Sequence, residues 1–403
     1  MVMETLWNLI GHCSAFCPTS IVPSLLPAEV LTVNSRTYRV IKQLGEGGYA
    51  FVYLAKELPT SERPSAASDA VAIKKIIAAS GEKLSAAKKE VEVLLALAHA
   101  HCLHLLDHAI HPSSSSSSLA YNVLLVFPAF EDGTLADELE RLAAAGRQLS
   151  SHHVLDIFRQ VCSGVGHMHS KGYAHMDIKP HNILIRRPHS SRGSSKAQRH
   201  RQQRQQQLRP PSAGQMAMTA GAARCGGADG ASDDDADEQQ ALTADAEAGG
   251  SVSVGRGYEA VLTDFGSARA VPMQVASRAE ALTVQEDAEA HCTATFRAPE
   301  LFDVPSHCTL DGRMDVWALG CTLYAIMYGA SPFQQAVDQG ASLALAVMNC
   351  RIPWPKPPAL RYPQELHSLV GLCLTAEHGQ RPTVTQLLER VQELMAAGLH
   401  DAS

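Results

Sequence analysis

The chain has 403 residues, too long for a minimal binding module and long enough for one large bilobed domain or two cores with accessories. Hydrophobic residues make up 45% and charged residues 19%, below the usual roughly 25%, so most of the chain can fold. Its 34 Lys and Arg against 41 Asp and Glu leave a net charge of -7, which argues against a dedicated nucleic-acid binder unless one segment is locally basic.

No apolar run reaches the roughly 18 residues that span a bilayer. The first 27 residues lack a basic stretch and carry Glu4, which disfavours a secretory signal. The ten cysteines have no framework spacing and read as reduced thiols of an intracellular, cytoplasmic protein.

In chain order, residues 1–35 read as a flexible leader with Cys13 and Cys17. From Tyr38, alternating residues on either side of Gly45-Glu-Gly-Gly48 predict a strand pair with a Gly-rich turn. Val71-Ala-Ile-Lys74 ends an apolar strand, and Leu84, Val91, Leu94 and Leu95 predict a helix over Glu82 to Ala98. Tyr121 to Phe127 reads as a strand, with Ser113 to Ser118 as a hairpin loop before it.

Residues 186–257 break the periodicity. Positions 186–224 carry nine Lys or Arg and no acid, and 225–250 carry eight Asp or Glu and no base, as in a disordered, charge-segregated insert. Its basic half suits an acidic membrane or nucleic acid; the simpler reading is a solvated loop whose halves attract each other. Periodic sequence resumes at Tyr258, and Arg278 to His291 is rich enough in helix-tolerant residues to predict a helix.

The residues that carry chemistry occur as an ordered set. Glycines at 45 and 47 let backbone amides approach phosphates, and Lys74 on a buried strand needs a partner that Glu90 offers. His175-Met-Asp-Ile-Lys-Pro-His-Asn182 places a carboxylate, an ammonium and a carboxamide within six residues, and Asp264-Phe-Gly266 follows a strand-like run. Ala298-Pro-Glu300, Asp315-Val-Trp317 and Arg381-Pro382 come after it.

In that order the set resembles the eukaryotic protein kinases over about residues 36–396, the insert left out. Within them it is most similar to the acylated (myristoylated and palmitoylated) serine/threonine kinases of the Numb-associated family. That likeness rests on Gly11-His-Cys13 with Cys17, Leu44-Gly-Glu-Gly-Gly-Tyr49, Lys171-Gly-Tyr-Ala-His175, Phe296-Arg-Ala-Pro-Glu-Leu-Phe302 and Asp315-Val-Trp-Ala-Leu-Gly-Cys321.

The resemblance implies an α+β, bilobed protein-kinase fold. A small antiparallel-sheet N-lobe with one main helix and the hinge would span 36–130, and a larger, mainly helical C-lobe would span 131–185 and 258–396 around the 186–257 insert, with a tail at 397–403. It implies transfer of the ATP γ-phosphoryl group to Ser or Thr of protein substrates, with ATP and Mg²⁺ bound. Gly45, Gly47, Val52, Ala72, Phe127, Phe130 and Leu184 would surround the nucleotide, with Phe127 as gatekeeper and backbone groups at 128–130 reading the base. Lys74, held by Glu90, would bind its phosphates. Asp264 and Asn182 would hold Mg²⁺, Asp177 would act as base, and Lys179 would lie beside it next to Thr293. Glu300 would pair with Arg381, and Asp315 would cap the catalytic loop. No nucleic-acid partner is expected.

Three departures qualify the likeness. Ala50 replaces the third loop glycine, and Met176 replaces an arginine that pairs with a phosphorylated activation segment in many kinases. The expectation is therefore activity independent of that phosphorylation, with the 37-residue segment from Asp264 to Glu300 preset by packing around its helix. Gly11 lies ten residues inside the chain, so either the functional start lies downstream of Met1 or membrane contact, at the Golgi or another endomembrane, rests on palmitoylation of Cys13 and Cys17 alone; the plain alternative is two unmodified thiols in a flexible tail. The rival reading is a pseudokinase scaffold that brings partners to a membrane. His99, His101, Cys102, His104, His108 and His111 fit no familiar zinc spacing, and the histidines read as structural or surface residues.

Overall fold

The computed structural model describes residues 29–47, 50–59, 70–113, 120–188, 257–356 and 361–398. The expected acylation cysteines, the loop tip at Gly48-Tyr49, most of the serine run, most of the insert and residues 399–403 lie outside the described residues.

Strands β1 (Val30–Val33), β2 (Arg36–Gly47), β3 (Ala50–Glu57), β4 (Val71–Ala78), β5 (Asp107–Pro112) and β6 (Tyr121–Pro128) form one antiparallel sheet in the order β1-β2-β3-β4-β6-β5. The sheet starts earlier than the expected boundary at 36. Asn34 adopts a φ of 52°, a left-handed conformation that asparagine tolerates, and so folds Val30–Val33 back onto Arg36–Arg39 in a two-residue turn. Part of the expected leader is therefore an edge strand.

Side-chain alternation sorts the sheet's two faces. Ile73, Leu124 and Val126 join Leu31, Val33 and Tyr38 in a small outer cluster, whereas Val123, Leu125 and Phe127 belong to the large core that continues into the rest of the molecule. The same alternation turns Ala72, Lys74 and Ile76 toward the interlobe cleft. Lys74 lies within β4 instead of ending it, because the apolar pattern runs on through Ile76 and Ala78.

Helix α1 (Gly81–Ala96) starts at Ser80, whose hydroxyl accepts from the Lys83 amide at 3.3 Å. Ala87, Glu90, Val91 and Leu94 recur at helical spacing and are buried. Leu95 is 62% exposed, contrary to the sequence expectation, because it stands a further 100° round the helix from Leu94.

The second lobe is mainly helical, as expected. Helices α2 (Leu135–Ala144) and α3 (Ser151–Ser170) precede two short antiparallel strand pairs. Strand β7 (Tyr173–Ala174) pairs with β10 (Arg269–Ala270), and β8 (Ile183–Arg186) pairs with β9 (Glu259–Leu262). Strand β11 (Met273–Val275) leads into α4 (Arg278–His291), the helix predicted inside the activation segment, and then pairs with β12 (Cys308–Leu310). Helix α5 (Arg313–Tyr328) is buried from Met314 through Met327 on every face, as befits the centre of a core. Short helices α6 (Gln334–Asp338) and α7 (Leu343–Met348) precede α8 (Gln364–Cys373) and α9 (Val384–Ala397), which pack on α5 and α3 respectively.

The folded structure also takes in the first residues of the expected insert. Arg186 faces Glu259 across the β8–β9 pair with a 3.1 Å ion pair, and Arg187 reaches Asp132 and Glu138 on the other side. Two of the nine basic residues of 186–224 therefore serve the fold. No described helix is long and apolar enough to cross a membrane, and no described group of three His, Cys, Asp or Glu is placed to hold a metal ion.

Candidate active site

A cavity of about 1080 Å³ opens between the sheet and α2. Gly45 and Val52 face each other across the β2–β3 ladder and form its roof with Leu44 and Ala72, while Leu184 on β8 forms part of its wall. Gly47 pairs with Ala50 at the end of the ladder, and Ala50 lines the cavity. Phe127, 6% exposed at the end of β6, closes the inner side, and Phe130 lines the mouth with the Arg186 guanidinium stacked 4.1 Å from its ring centre. Pro128 has no N–H and Ala129 donates to the Ala70 carbonyl, which leaves Phe130 as the backbone donor for a base edge.

Lys74 sits 2.8 Å from Glu90 Oε1 and 3.4 Å from Asp264 Oδ1. Burial pulls the Lys74 pKa down, but the two carboxylates outweigh it and hold the ammonium above the ordinary lysine value. Lys74 in turn holds the Asp264 carboxyl below the usual range. Asp264 adopts a φ of 63°, a conformation costing about 1–3 kcal/mol in a non-glycine residue. It places Phe265 in the core, edge-on to His175 with ring centres 5.6 Å apart. The β8–β9 pair brings Asn182 beside this segment, where its carbonyl accepts from the Thr263 amide at 3.0 Å.

Asp177 lies outside the cavity proper, on the neighbouring loop between β7 and β8, and is the centre of a separate network. Its Oδ1 accepts from the Thr293 amide at 2.9 Å and the Thr293 hydroxyl at 2.6 Å. Its Oδ2 lies 2.8 Å from Lys179 Nζ and accepts from Asn182 Nδ2 at 2.9 Å. Lys179 also donates to Thr293 Oγ1 at 2.6 Å. Asp177, Lys179, Asn182 and Thr293 are thus one hydrogen-bonded unit, and Asn182 links it to the cavity wall.

The loop carrying Asp177 is fixed from α5. Asp315 accepts from the His175 amide at 2.7 Å and the Met176 amide at 2.9 Å, and His169 Nε2 lies 2.8 Å from the same carboxylate. Met176 takes a φ of 72° to present both amides, and its side chain is buried in the core. Arg381, 1% exposed, makes a two-pronged bond to Glu300 at 2.8 and 3.0 Å and anchors the end of the activation segment.

Sequence reasoning missed several cavity residues: Leu44, Leu94, Leu103, Thr263 and Phe265. Leu44 was findable, since it adjoins the first glycine. Leu94 and Leu103 reach the cavity only because α1 and the segment after it fold across the sheet. The Arg269–Asp287 bond, at 2.6 and 2.7 Å, carried no signal, being 18 residues apart without a motif.

The sequence profile of the protein kinase domain matches residues 38–195 and 256–391, most of the chain. The chain belongs to the protein kinase family. Among curated relatives, this kinase is similar to Serine/threonine-protein kinase 16 of Rattus norvegicus, 28% identical over 97% of this chain and 99% of the relative. It is similar to Serine/threonine-protein kinase ppk13 of Schizosaccharomyces pombe, 27% identical over 96% of this chain and 98% of the relative. A probable serine/threonine-protein kinase of Dictyostelium discoideum is 29% identical, with 91% of this chain and 96% of that protein covered. These relatives align the kinase with the serine/threonine class over nearly its whole length.

Proposed function

We propose that this kinase is catalytically active and transfers the γ-phosphoryl group of ATP to Ser or Thr hydroxyls of protein substrates. The observation that carries this reading is the simultaneous presence of two assembled half-sites: Lys74 between Glu90 and Asp264, and Asp177 held by Thr293, Lys179 and Asn182. In the first, Lys74 binds phosphate oxygens while Val52, Ala72 and Leu184 enclose the base and Phe130 offers its N–H. In the second, Asp177 orients the substrate hydroxyl and accepts its proton as the oxygen–phosphorus bond forms and ADP leaves. Such a base contributes on the order of 10² to 10⁴ in rate. Lys179 sits where it can offset charge on the transferring group.

The donor set fits magnesium. Asp264 and Asn182 are hard oxygen donors on the cavity wall, and Asn182 commits its Nδ2 to Asp177, which leaves its amide oxygen for the metal. When bound, Mg²⁺ supplies charge neutralisation across the phosphate oxygens.

Transfer of labelled phosphate to a generic protein substrate tests the reading. Wild type is expected to exceed Asp177→Ala and Lys74→Met by at least about 100-fold and to stop on chelation of divalent cations. Activity equal to that of the two variants would leave the pseudokinase scaffold, the reading that Met176 and Ala50 favour, as the better one.

The finer proposal is a Numb-associated-type kinase, active without activation-segment phosphorylation and peripheral on Golgi or other endomembranes, with a role in membrane traffic. Met176 in place of an arginine supports the first part, and the leader cysteines Cys13 and Cys17 support the second. Two acyl chains give stable anchoring where one gives only marginal binding. Intact mass of the native protein, with sedimentation on vesicles before and after thioester cleavage, tests the acylation.

A further inference from the structure

Activation segments that switch are ordered when an added phosphate pairs with arginine. In this kinase the position before the catalytic aspartate holds Met176, buried at 7% exposure and unable to pair with an anion. Yet the segment is tied down on both sides of its helix. The apolar part of that restraint is small, since the fully buried residues of α4 are two alanines, Ala281 and Ala288. Packing alone, the sequence-based expectation, is a weak restraint for a 14-residue helix.

The ionic part is concentrated at one residue. Asp287, in the last turns of α4, receives both Nε and Nη2 of Arg269 at 2.7 and 2.6 Å. Its Oδ1 also lies 3.1 Å from His291 Nδ1, and the His291 carbonyl accepts from Ser267 Oγ at 3.0 Å. Lys89, adjacent to Glu90 on α1, adds a further positive charge that acts on the same carboxylate. Arg269 itself pairs with Ala174 in the β7–β10 strand pair, three residues before Asp177, and Thr293, two residues after His291, bonds Asp177 from the other side. Asp287 therefore joins the start of the activation segment, the strand entering the catalytic loop and the residue that touches the base.

We propose that Asp287 is a positioning residue for phosphoryl transfer, its carboxylate clamped by Arg269 as a permanent anion in the role an added phosphate plays in switchable segments. The inference rests on the proposed kinase activity and names the device that makes it independent of phosphorylation. Two-pronged guanidinium–carboxylate bonds fix orientation as well as distance, so loss of either partner frees the Cys292–Thr293 turn.

The test uses the full chain after treatment with a protein phosphatase, comparing wild type, Asp287→Asn, Arg269→Gln and the charge-reversed pair Arg269→Asp with Asp287→Arg. Phosphatase treatment is expected to leave wild-type activity within about twofold, while each single variant loses about 100-fold in kcat/KM for a protein substrate, the scale of a misplaced catalytic geometry. ATP affinity and melting temperature should change little, and the reversed pair should recover about tenfold over the singles. Retained activity in both singles, no recovery in the reversed pair, or a parallel loss of ATP binding and thermal stability would each overturn the clamp while leaving the kinase reading intact. Wild-type transfer no better than Asp177→Ala would instead remove that reading, and the clamp with it.

Discussion

Tyr258 donates its phenolic hydroxyl to Glu138 Oε1 at 2.8 Å, and Arg187 donates Nε to the other oxygen of the same carboxylate at 2.8 Å. Arg187 and Tyr258 stand at the two ends of the charge-segregated stretch, so one fully buried residue of α2 receives both ends. The adjoining strands pair antiparallel with Arg186 opposite Glu259, a geometry that a short hairpin can close. Replacement of residues 189–256 by a short Gly/Ser linker is therefore expected to leave the melting temperature and phosphoryl transfer at wild-type levels. Loss of folding in that variant would show that the stretch contributes to the core.

Glu138 itself should be costly to remove. Burial raises its pKa, but hydrogen bonds from Arg141, Tyr258 and Arg187 outweigh that and bring it to about 2. A carboxyl depressed in the folded state contributes stability that is present above its unfolded pKa, near 4.3, and is lost as pH falls toward 2. Glu138→Ala is expected to lose about 2 kcal/mol at neutral pH in urea unfolding, since it strands the buried Tyr258 hydroxyl, while the part-exposed Arg187 and Arg141 guanidinium groups can turn to water. Between about pH 4.3 and 2 its stability should fall less steeply than that of wild type.

Thr293 gives a finer probe of the proposed catalytic unit. Its hydroxyl bonds both Asp177 and Lys179 at 2.6 Å, while its amide bonds Asp177 independently. Thr293→Val keeps the amide and the volume but removes the hydroxyl, and is expected to lower kcat about 10- to 100-fold, with ATP KM unchanged because Thr293 is not a cavity residue. Thr293→Ser should restore most of the rate. A larger effect on ATP KM than on kcat would place the residue in nucleotide binding instead.

The chemistry was legible in the sequence where it depends on local spacing. Asp177, Lys179 and Asn182 share one loop, Lys74 lies in a strand whose alternation fixes its face, and Asp264 opens the short Asp-Phe-Gly266 string just past β9, so short strings locate them. The predicted activation helix likewise follows from composition within Arg278 to His291. What stayed hidden depends on long-range register. Val30–Val33 carry only four residues of strand pattern and become a strand through the Asn34 turn. Glu138 reads as one more polar residue of an amphipathic helix until β8 and β9 bring Arg187 and Tyr258 onto it. Arg269 and Asp287 are ordinary charges until β10 and α4 meet.

The histidines after α1 carry the last prediction. His99 stacks on His167 of α3 at 5.0 Å between ring centres, lies 5.6 Å from the His101 ring, and accepts the His101 amide on Nδ1 at 3.1 Å. Burial first, then the neighbouring His101 and His167, lower its pKa to about 4, and burial lowers His101 and His167 as well. All three are thus neutral in the fold but take up protons near pH 6.5 when unfolded. The unfolded state binds more protons, so stability rises with pH; it is complete above about 6.5 and declines as pH falls toward 4. This cluster pins the segment between α1 and β5 to α3, and α1 carries Glu90. Acidification through that window should therefore first increase amide exchange in residues 97–104. His99→Phe, which keeps the stack and cannot be protonated, should flatten the decline. An unchanged pH slope in the variant would assign the acid sensitivity to other groups.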